Sequence, residues 1–289
     1  MTIATIDIGG TGIKFASLTP DGKILDKAST PTPETLEELL AWLEQRLSEQ
    51  DYRGIAMSVP GAVHQETGVI EGISAIPYIH GFSWYEALAH HKLPVHLEND
   101  ANCVGLSELL AHPEIENAAC VVIGTGIGGA MIINGKLHRG HHGLGGEFGY
   151  MTTIEPAEKL NNWSQLASTG NMVRYVIEKS GQSDWDGRKV YQEAVAGNAL
   201  CQEAIKRMNR NLAQGLLNIQ YLIDPDVISL GGSISQNPDF IKGVQEAVDT
   251  FVYRYEEYTI APVIQACTYQ ADANLYGALV NWLQEENQW

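Results

Sequence analysis

The chain has 289 residues, with 18 Lys+Arg against 35 Asp+Glu and a formal charge of −17. That acidic balance argues against a nucleic-acid backbone as the main partner, because phosphate contacts need clustered cations, and against docking on an anionic membrane. Hydrophobic residues at 44% suit an ordinary globular core, the length suits about two domains, and no run approaches the ~18–20 apolar residues of a membrane span. The start, Met1-Thr2-Ile3-Ala4-Thr5-Ile6-Asp7, lacks a signal peptide's basic region and cleavage pattern. Cys103, Cys120, Cys201 and Cys267 form no CxxC pair, so reduced thiols in a cytoplasmic protein are expected.

Thr2–Ile8 reads as a strand that breaks at Gly9-Gly10-Thr11-Gly12 and resumes over Ile13–Leu18. Pro20-Asp21-Gly22-Lys23 is a turn, and a third strand begins at Ile24. A helix should follow, capped by Thr32 with Pro33 at its first position. Leu36, Leu39, Leu40, Leu43 and Leu47 then fall on one face. Gly54–Val59 is a strand ending at Pro60-Gly61, and Val95–Glu98 is another ending at Asn99-Asp100, with a helix from Ala101 to about Leu110.

The pattern then restarts. Ala118–Ile123 is a strand, Gly124–Gly129 a glycine turn, Ala130–Ile133 a strand and Asn134-Gly135 a hairpin turn. A long helix runs from near Asn198, its cap, to Leu222, with Pro225 just beyond its end. Val227–Leu230 is a strand ending at Gly231-Gly232-Ser233. Thr5–Phe15 and Val121–Ile133 thus share one layout, a weak internal duplication that suggests two α/β domains facing one another. The expected division is 1–115 and 116–289, near His112-Pro113.

Three glycine clusters follow apolar strands, and glycine lets successive N–H groups converge on an anion. No G-x-x-x-x-G-K-[ST] occurs, which excludes a P-loop. Gly124–Gly129 formally matches G-x-G-x-x-G, but a dinucleotide fingerprint must open a helix and this one continues as a strand. A strand–glycine turn–strand unit instead clasps phosphate. Asp7, ending the first strand, could organise Mg²⁺ and its waters there, though Asp is also a common turn residue. Asp100 lies between a strand and a helix, where α/β proteins place ligands and also where helix caps are ordinary.

Asp7-Ile8-Gly9-Gly10-Thr11, Glu98-Asn99-Asp100-Ala101-Asn102, Gly124–Gly129, Gly145-Gly146-Glu147-Phe148-Gly149 and Leu230-Gly231-Gly232-Ser233-Ile234 occur in this order. Together they resemble the ROK family of sugar kinases and repressors, within the actin/hexokinase superfamily, over essentially the whole chain. The resemblance implies two actin-like (ribonuclease H-like) α/β domains with a cleft between them. It implies ATP with Mg²⁺ and phosphorylation of a sugar hydroxyl, on a hexose or a β-glucoside. It makes Asp100 the general base. Asn99, Asp100, Glu147 and Gly61 would line the sugar site. Gly9, Gly10 and Thr11 would meet the transferring phosphates, Gly124, Thr125 and Gly126 would form a second phosphate loop, and Gly231 and Gly232 would lie near the adenosine. Ala273–Ala278 fits the family's final helix, which would pack back on the N-terminal domain. The family often forms dimers, so a homodimer is expected.

The chain departs from the family pattern in places. The family's CxCGxxGC zinc cluster aligns with Glu155–Asn162, which has no cysteine, and its zinc histidine aligns with Tyr150, so no structural zinc is expected. The family's sugar-binding glutamate aligns with Ser164. The substitutions point to kept catalysis with altered sugar preference, towards a β-glucoside or other disaccharide. Tyr78, Phe82, Trp84 and Trp163 could supply stacking surfaces or simply pack the core. The competing readings are a sugar-binding sensor of the same fold with weakened catalysis, a repressor, whose helix-turn-helix is missing here, and the NAD enzyme already excluded.

Overall fold

Seven consecutive buried residues, Thr2–Ile8, form β1. A run buried on both faces suits a strand covered on both sides. β1 sits at the centre of a sheet built from β2 (Gly12–Leu18), β3 (Ile24–Pro31), β4 (Tyr52–Val59) and β7 (Val95–Asn99). The order is β3-β2-β1-β4-β7, antiparallel on one side of β1 and parallel on the other. A small hairpin, β5 (Ala62–His64) with β6 (Val69–Glu71), follows β4. The structure is a computed structural model and describes residues 2–153, 161–254 and 260–289.

Helices α1 (Leu36–Leu47), α2 (Trp84–Leu88) and α3 (Asp100–Ala111) belong to the same unit. α1 starts later than its sequence suggests. Thr35 is the N-cap, accepting from the Glu38 N–H. Thr32 is diverted because its hydroxyl donates to the Gly9 carbonyl at 2.6 Å, tying the first glycine turn to the end of β3. The expected leucine face is present, with Leu39, Leu43 and Leu47 buried.

The second sheet repeats the first. β8 (Ala118–Ile123), β9 (Ile127–Ile133) and β10 (Lys136–Leu137) form an antiparallel meander, and β13 (Val227–Gly231) and β14 (Ile264–Ala266) extend it in parallel, in the order β10-β9-β8-β13-β14. A ribbon of β11 (Thr152–Thr153) and β12 (Asn161–Asn162) precedes α4 (Trp163–Ala167) and α5 (Thr169–Ser180). Then come α6 (Gly187–Val195), α7 (Ala199–Ile223) and α8 (Pro238–Arg254). Asn198 caps α7 as expected, accepting from the N–H groups of Leu200 and Cys201. Of the stretch aligned with the zinc cluster, residues 155–160 lie outside the described residues.

Contacts divide the chain into two units. One is Met1–Glu114 with Arg139–Gly145 and Ala271–Trp289, and the other is Ile115–His138 with Gly146–Gln270. The first holds the final helix, α9 (Ala273–Glu285), whose Leu275, Leu279, Trp282 and Leu283 pack with Ile3, Leu18, Ala56 and Cys103. α9 lies so close to α3 that a Cβ on Gly277 would stand 1.7 Å from the Cys103 carbonyl oxygen. Gly277→Ala should therefore force the two helices apart and destabilise the fold by about 1–3 kcal/mol or more, read as a fall in Tm. An unchanged Tm would mean that the helices can separate at no cost.

Candidate functional site

The parallel register sets Asp7 opposite Ser58 and Ser58 opposite Glu98, so three polar residues align near the C-terminal ends of β1, β4 and β7. That edge is where open α/β sheets present ligand-binding groups. Asp7 is 7% exposed. Its Oδ1 accepts from Asn274 Nδ2 at 3.0 Å and Ser58 Oγ at 3.3 Å, and its Oδ2 from Lys14 Nζ at 3.2 Å. Burial pushes the Asp7 carboxyl above its ordinary range, and Lys14, Asn274 and Ser58 oppose that shift. Lys14 also donates to the Ala271 carbonyl at 2.6 Å.

The first glycine turn closes by a Gly9 N–H to Gly12 carbonyl bond of 3.1 Å, leaving Gly10 and Thr11 exposed. A cavity of about 400 Å³ lies beside it, lined by Asp7, Gly9, Thr11, Lys14 and Thr30 among others. Exposed backbone donors, a lysine and a buried carboxylate fit a polyphosphate and its divalent ion.

The β7–α3 junction is the most tightly specified part of this unit. Asn99 caps α3, with Oδ1 accepting from Ala101 N at 2.9 Å and Asn102 N at 3.2 Å. Its Nδ2 donates to the Gly61 carbonyl at 3.1 Å. Gly61 has φ +106, and a Cβ there would stand 2.8 Å from the Glu71 carbonyl oxygen, so glycine is required. Asp100 Oδ1 accepts from Ala101 N at 2.8 Å. Gly61, Asn99 and Asp100 thus come together as one constellation.

Sequence reasoning missed what holds this constellation. Glu98, only 2% exposed, accepts from Asn99 N at 2.8 Å, Asn102 Nδ2 at 2.8 Å, Gln65 Nε2 at 3.5 Å and Arg139 Nε at 2.6 Å. Arg139 Nη2 also reaches Asn281 Oδ1 at 2.7 Å and Glu285 Oε1 at 3.0 Å on α9. Burial works against the Arg139 charge, but Glu98 and Glu285 outweigh it and hold the guanidinium above its ordinary pKa. His80 was also missed. It pairs its Nε2 with Ser74 Oγ at 2.7 Å, lies against Gly61, and keeps a buried Nδ1 without a hydrogen-bond partner.

In the other unit, Gly124, Thr125 and Gly126 form the exposed turn of the β8–β9 hairpin, closed by a Gly124 N–H to Gly126 carbonyl bond of 2.9 Å. The Gly170 N–H, in the first turn of α5, donates to the Gly124 carbonyl at 3.1 Å. Gly231 ends β13, and Gly232, at φ +87, accepts from Ser235 N and Oγ. A cavity of about 680 Å³ lies among α6, α7 and α8, and two of its lining groups, Tyr191 OH and Asn209 Oδ1, are buried without partners. Glu147 precedes the Phe148–Tyr150 turn, and burial pushes its carboxyl above the ordinary range.

The positions that replace family ligands, and the aromatics that could have stacked on a sugar, have surroundings of their own. Ser164 Oγ accepts from Ile127 N at 2.9 Å, pinning the start of β9. Tyr150 is 73% exposed. Trp84 and Trp163 are fully buried core residues that donate to the carbonyls of Ile79 and Asn211, so neither offers a stacking face. The Tyr78 hydroxyl donates to the Pro33 carbonyl, and Phe82 packs on the first core. Large aromatics are as good at filling a core as at stacking on a ligand, and burial decides between the two.

Residues 3–285 match the sequence model of the ROK family. A beta-glucoside kinase of Listeria monocytogenes is 35% identical over 100% of this chain and 99% of its own. A ROK family protein of Streptococcus pneumoniae TIGR4, solved in complex with sucrose, is 87% identical with a TM-score of 0.98, each chain covered over 100%. A ROK family glucokinase of Streptomyces griseus, solved with glucose and AMPPNP, shares the fold at a TM-score of 0.78 and 23% identity, over 96% of this chain and 98% of its own. No helix among the described residues is long and apolar enough to cross a membrane.

Proposed function

The chain belongs to the ROK family and is a sugar kinase, and from that premise we propose that it phosphorylates a hydroxyl of a glucoside or disaccharide with ATP, Asp100 acting as the general base. The observation that carries the reading is the Gly61–Asn99–Asp100 constellation, fixed from beneath by Glu98 at the carboxyl edge of the first sheet. Full-length similarity to a beta-glucoside kinase and to a protein solved with sucrose supports an acceptor larger than a monosaccharide.

When bound, ATP would supply the phosphoryl group and Mg²⁺ would offset the charge of its oxygens. The protein's part in such a transfer is positioning and proton acceptance. Asp100 takes the proton of the attacking hydroxyl. Asn99, whose amide is already committed to Gly61 and to the α3 cap, orients the sugar against that carboxylate. Gly9, Gly10 and Thr11 in one unit and the Gly124–Gly126 turn in the other would each offer backbone donors to phosphate, and Asp7 would hold a metal ion through its waters. Gly231 and Gly232 would lie near the adenosine. This reading belongs in the cytoplasm, where the four free cysteines stay reduced.

Coupled ADP release over a panel of monosaccharides, β-linked disaccharides and sucrose tests the proposal. Turnover highest on a β-glucoside or disaccharide is expected. Turnover confined to free monosaccharides would overturn the acceptor class, and sugar binding without ADP release would overturn the kinase chemistry.

Glu147 is the proposed holder of sugar hydroxyls, and its raised pKa gives a second test. A carboxyl raised by burial favours the folded state when protonated, so that stability is present at low pH and falls as pH rises through the folded pKa. At neutral pH the ionised group costs stability. Glu147→Gln should therefore raise Tm while weakening sugar binding by about 10- to 100-fold, the loss expected for hydrogen bonds to a charged acceptor. Wild-type sugar affinity should fall on acidification at a pH above that of an ordinary carboxylate. A variant with unchanged sugar affinity by calorimetry would remove Glu147 from the binding set.

A further inference from the structure

Among the described residues, Glu44, His90 and His91 bring one ligand atom each to within 4.8 Å of one another. Glu44 stands on α1, whose Leu43 and Leu47 are anchored in the first core. The histidines end a short 3-10 turn, Ala89–His91, which directly follows the buried Leu88 of α2 and reverses at Lys92. Both supports are therefore fixed by packing. His90 Nε2 lies 2.8 Å and His91 Nε2 3.1 Å from the same oxygen, Glu44 Oε1, and the two rings stack at 4.2 Å with a 38° tilt.

Three groups able to ligate a metal thus converge. Either both imidazoles carry a proton on Nε2 or a cation sits among them. Two nitrogens and one carboxylate oxygen suit a borderline transition ion and not Mg²⁺ or Ca²⁺, which prefer all-oxygen shells. Tetrahedral zinc bonds of ~2.0–2.1 Å set neighbouring ligand atoms about 3.3 Å apart, close to the 2.8 and 3.1 Å that separate the two imidazole nitrogens from Glu44 Oε1. His91 is largely covered while His90 is 57% exposed, which leaves one side open for a water or another donor.

We propose that Glu44, His90 and His91 form a binding site for a borderline divalent metal ion, Zn²⁺ being the type case, that clamps α1 to the segment joining α2 and β7. The site is separate from the phosphate-binding and sugar-binding residues and independent of the family's cysteine cluster. Metal binding there would stabilise this unit without touching the reacting groups.

Calorimetric titration of the chelator-treated full chain with ZnCl₂ tests the site. One ion per chain in the micromolar range is expected, weakened at least about tenfold in His91→Ala and in Glu44→Gln. The double variant His141→Asn/His142→Asn, altering an exposed histidine pair elsewhere, should bind like the wild type. Zn²⁺ should also raise the Tm of the wild type and not of His90→Asn, a change at an exposed position. Absence of micromolar binding in the wild type, or equal affinity in the Glu44 and His91 variants, would overturn the proposal and leave a hydrogen-bonded triplet only.

Discussion

Asp100→Asn should lower kcat by about 10²- to 10⁴-fold, the span that a positioned general base supplies. The substitution is nearly isosteric. An asparagine Oδ1 can still accept the Ala101 N–H that Asp100 Oδ1 accepts at 2.8 Å, so the α3 terminus should survive. Sugar affinity should stay within a few-fold, because an asparagine amide can still hydrogen-bond the sugar hydroxyl while it cannot take the proton. Steady-state ADP release with calorimetric sugar binding reads both quantities. A kcat within tenfold of wild type in a folded variant would assign the proton to another group.

Arg139→Ala should destabilise the fold by about 3 kcal/mol and depress kcat with it. Glu98 is buried, and removing its guanidinium leaves a carboxylate charge without its ionic partner, which costs about 3–5 kcal/mol for a fully buried pair. The lower end applies because Arg139 is 28% exposed. The kinetic effect follows from position. Glu98 accepts the Asn99 N–H and fixes Asn102, so a strained Glu98 disturbs the residue just before Asp100 and the one two positions after it. Arg139→Lys should rescue little, since a single ammonium cannot span Glu98, Asn281 and Glu285 as the planar fork does. Adding Glu98→Gln to Arg139→Ala should recover part of the lost stability. If the double variant is no more stable than Arg139→Ala alone, the buried charge is not the source of the cost.

Much of this arrangement was legible in the residues. Both glycine hairpins, the Asn99-Asp100 junction and the Asn198 cap are local, and local chemistry of turns and caps announces itself in sequence. The repeated sheet order deepens a duplication that the residues showed only as layout. Thr32 shows the limit. As a threonine before a proline it has the credentials of a cap, yet a carbonyl 23 residues away claims its hydroxyl. Glu98 and Arg139 stand 41 residues apart, and nothing periodic links them. Arg139 sits among histidines in what looks like a plain exposed loop, and only the return of that loop to the first unit reveals its partner. For Trp84 and Trp163 the residues left stacking and core packing both open, because a side chain's type does not say which way the backbone will turn it, and burial decides for the core.

The return of α9 to the first unit carries a consequence for how the protein is made. Ile3, Leu18, Ala56 and Cys103 are translated early, but their partners Leu275, Leu279, Trp282 and Leu283 come after the whole of the second unit. On the ribosome, one side of the first sheet must wait as exposed apolar surface while more than half of the chain is added. The second unit meets no such delay, since its segments lie between Ile115 and Gln270. Nascent chains halted before Ala273 should expose a sticky face and draw chaperones, and a short loss at the C-terminus should abolish the N-terminal unit before it harms the other.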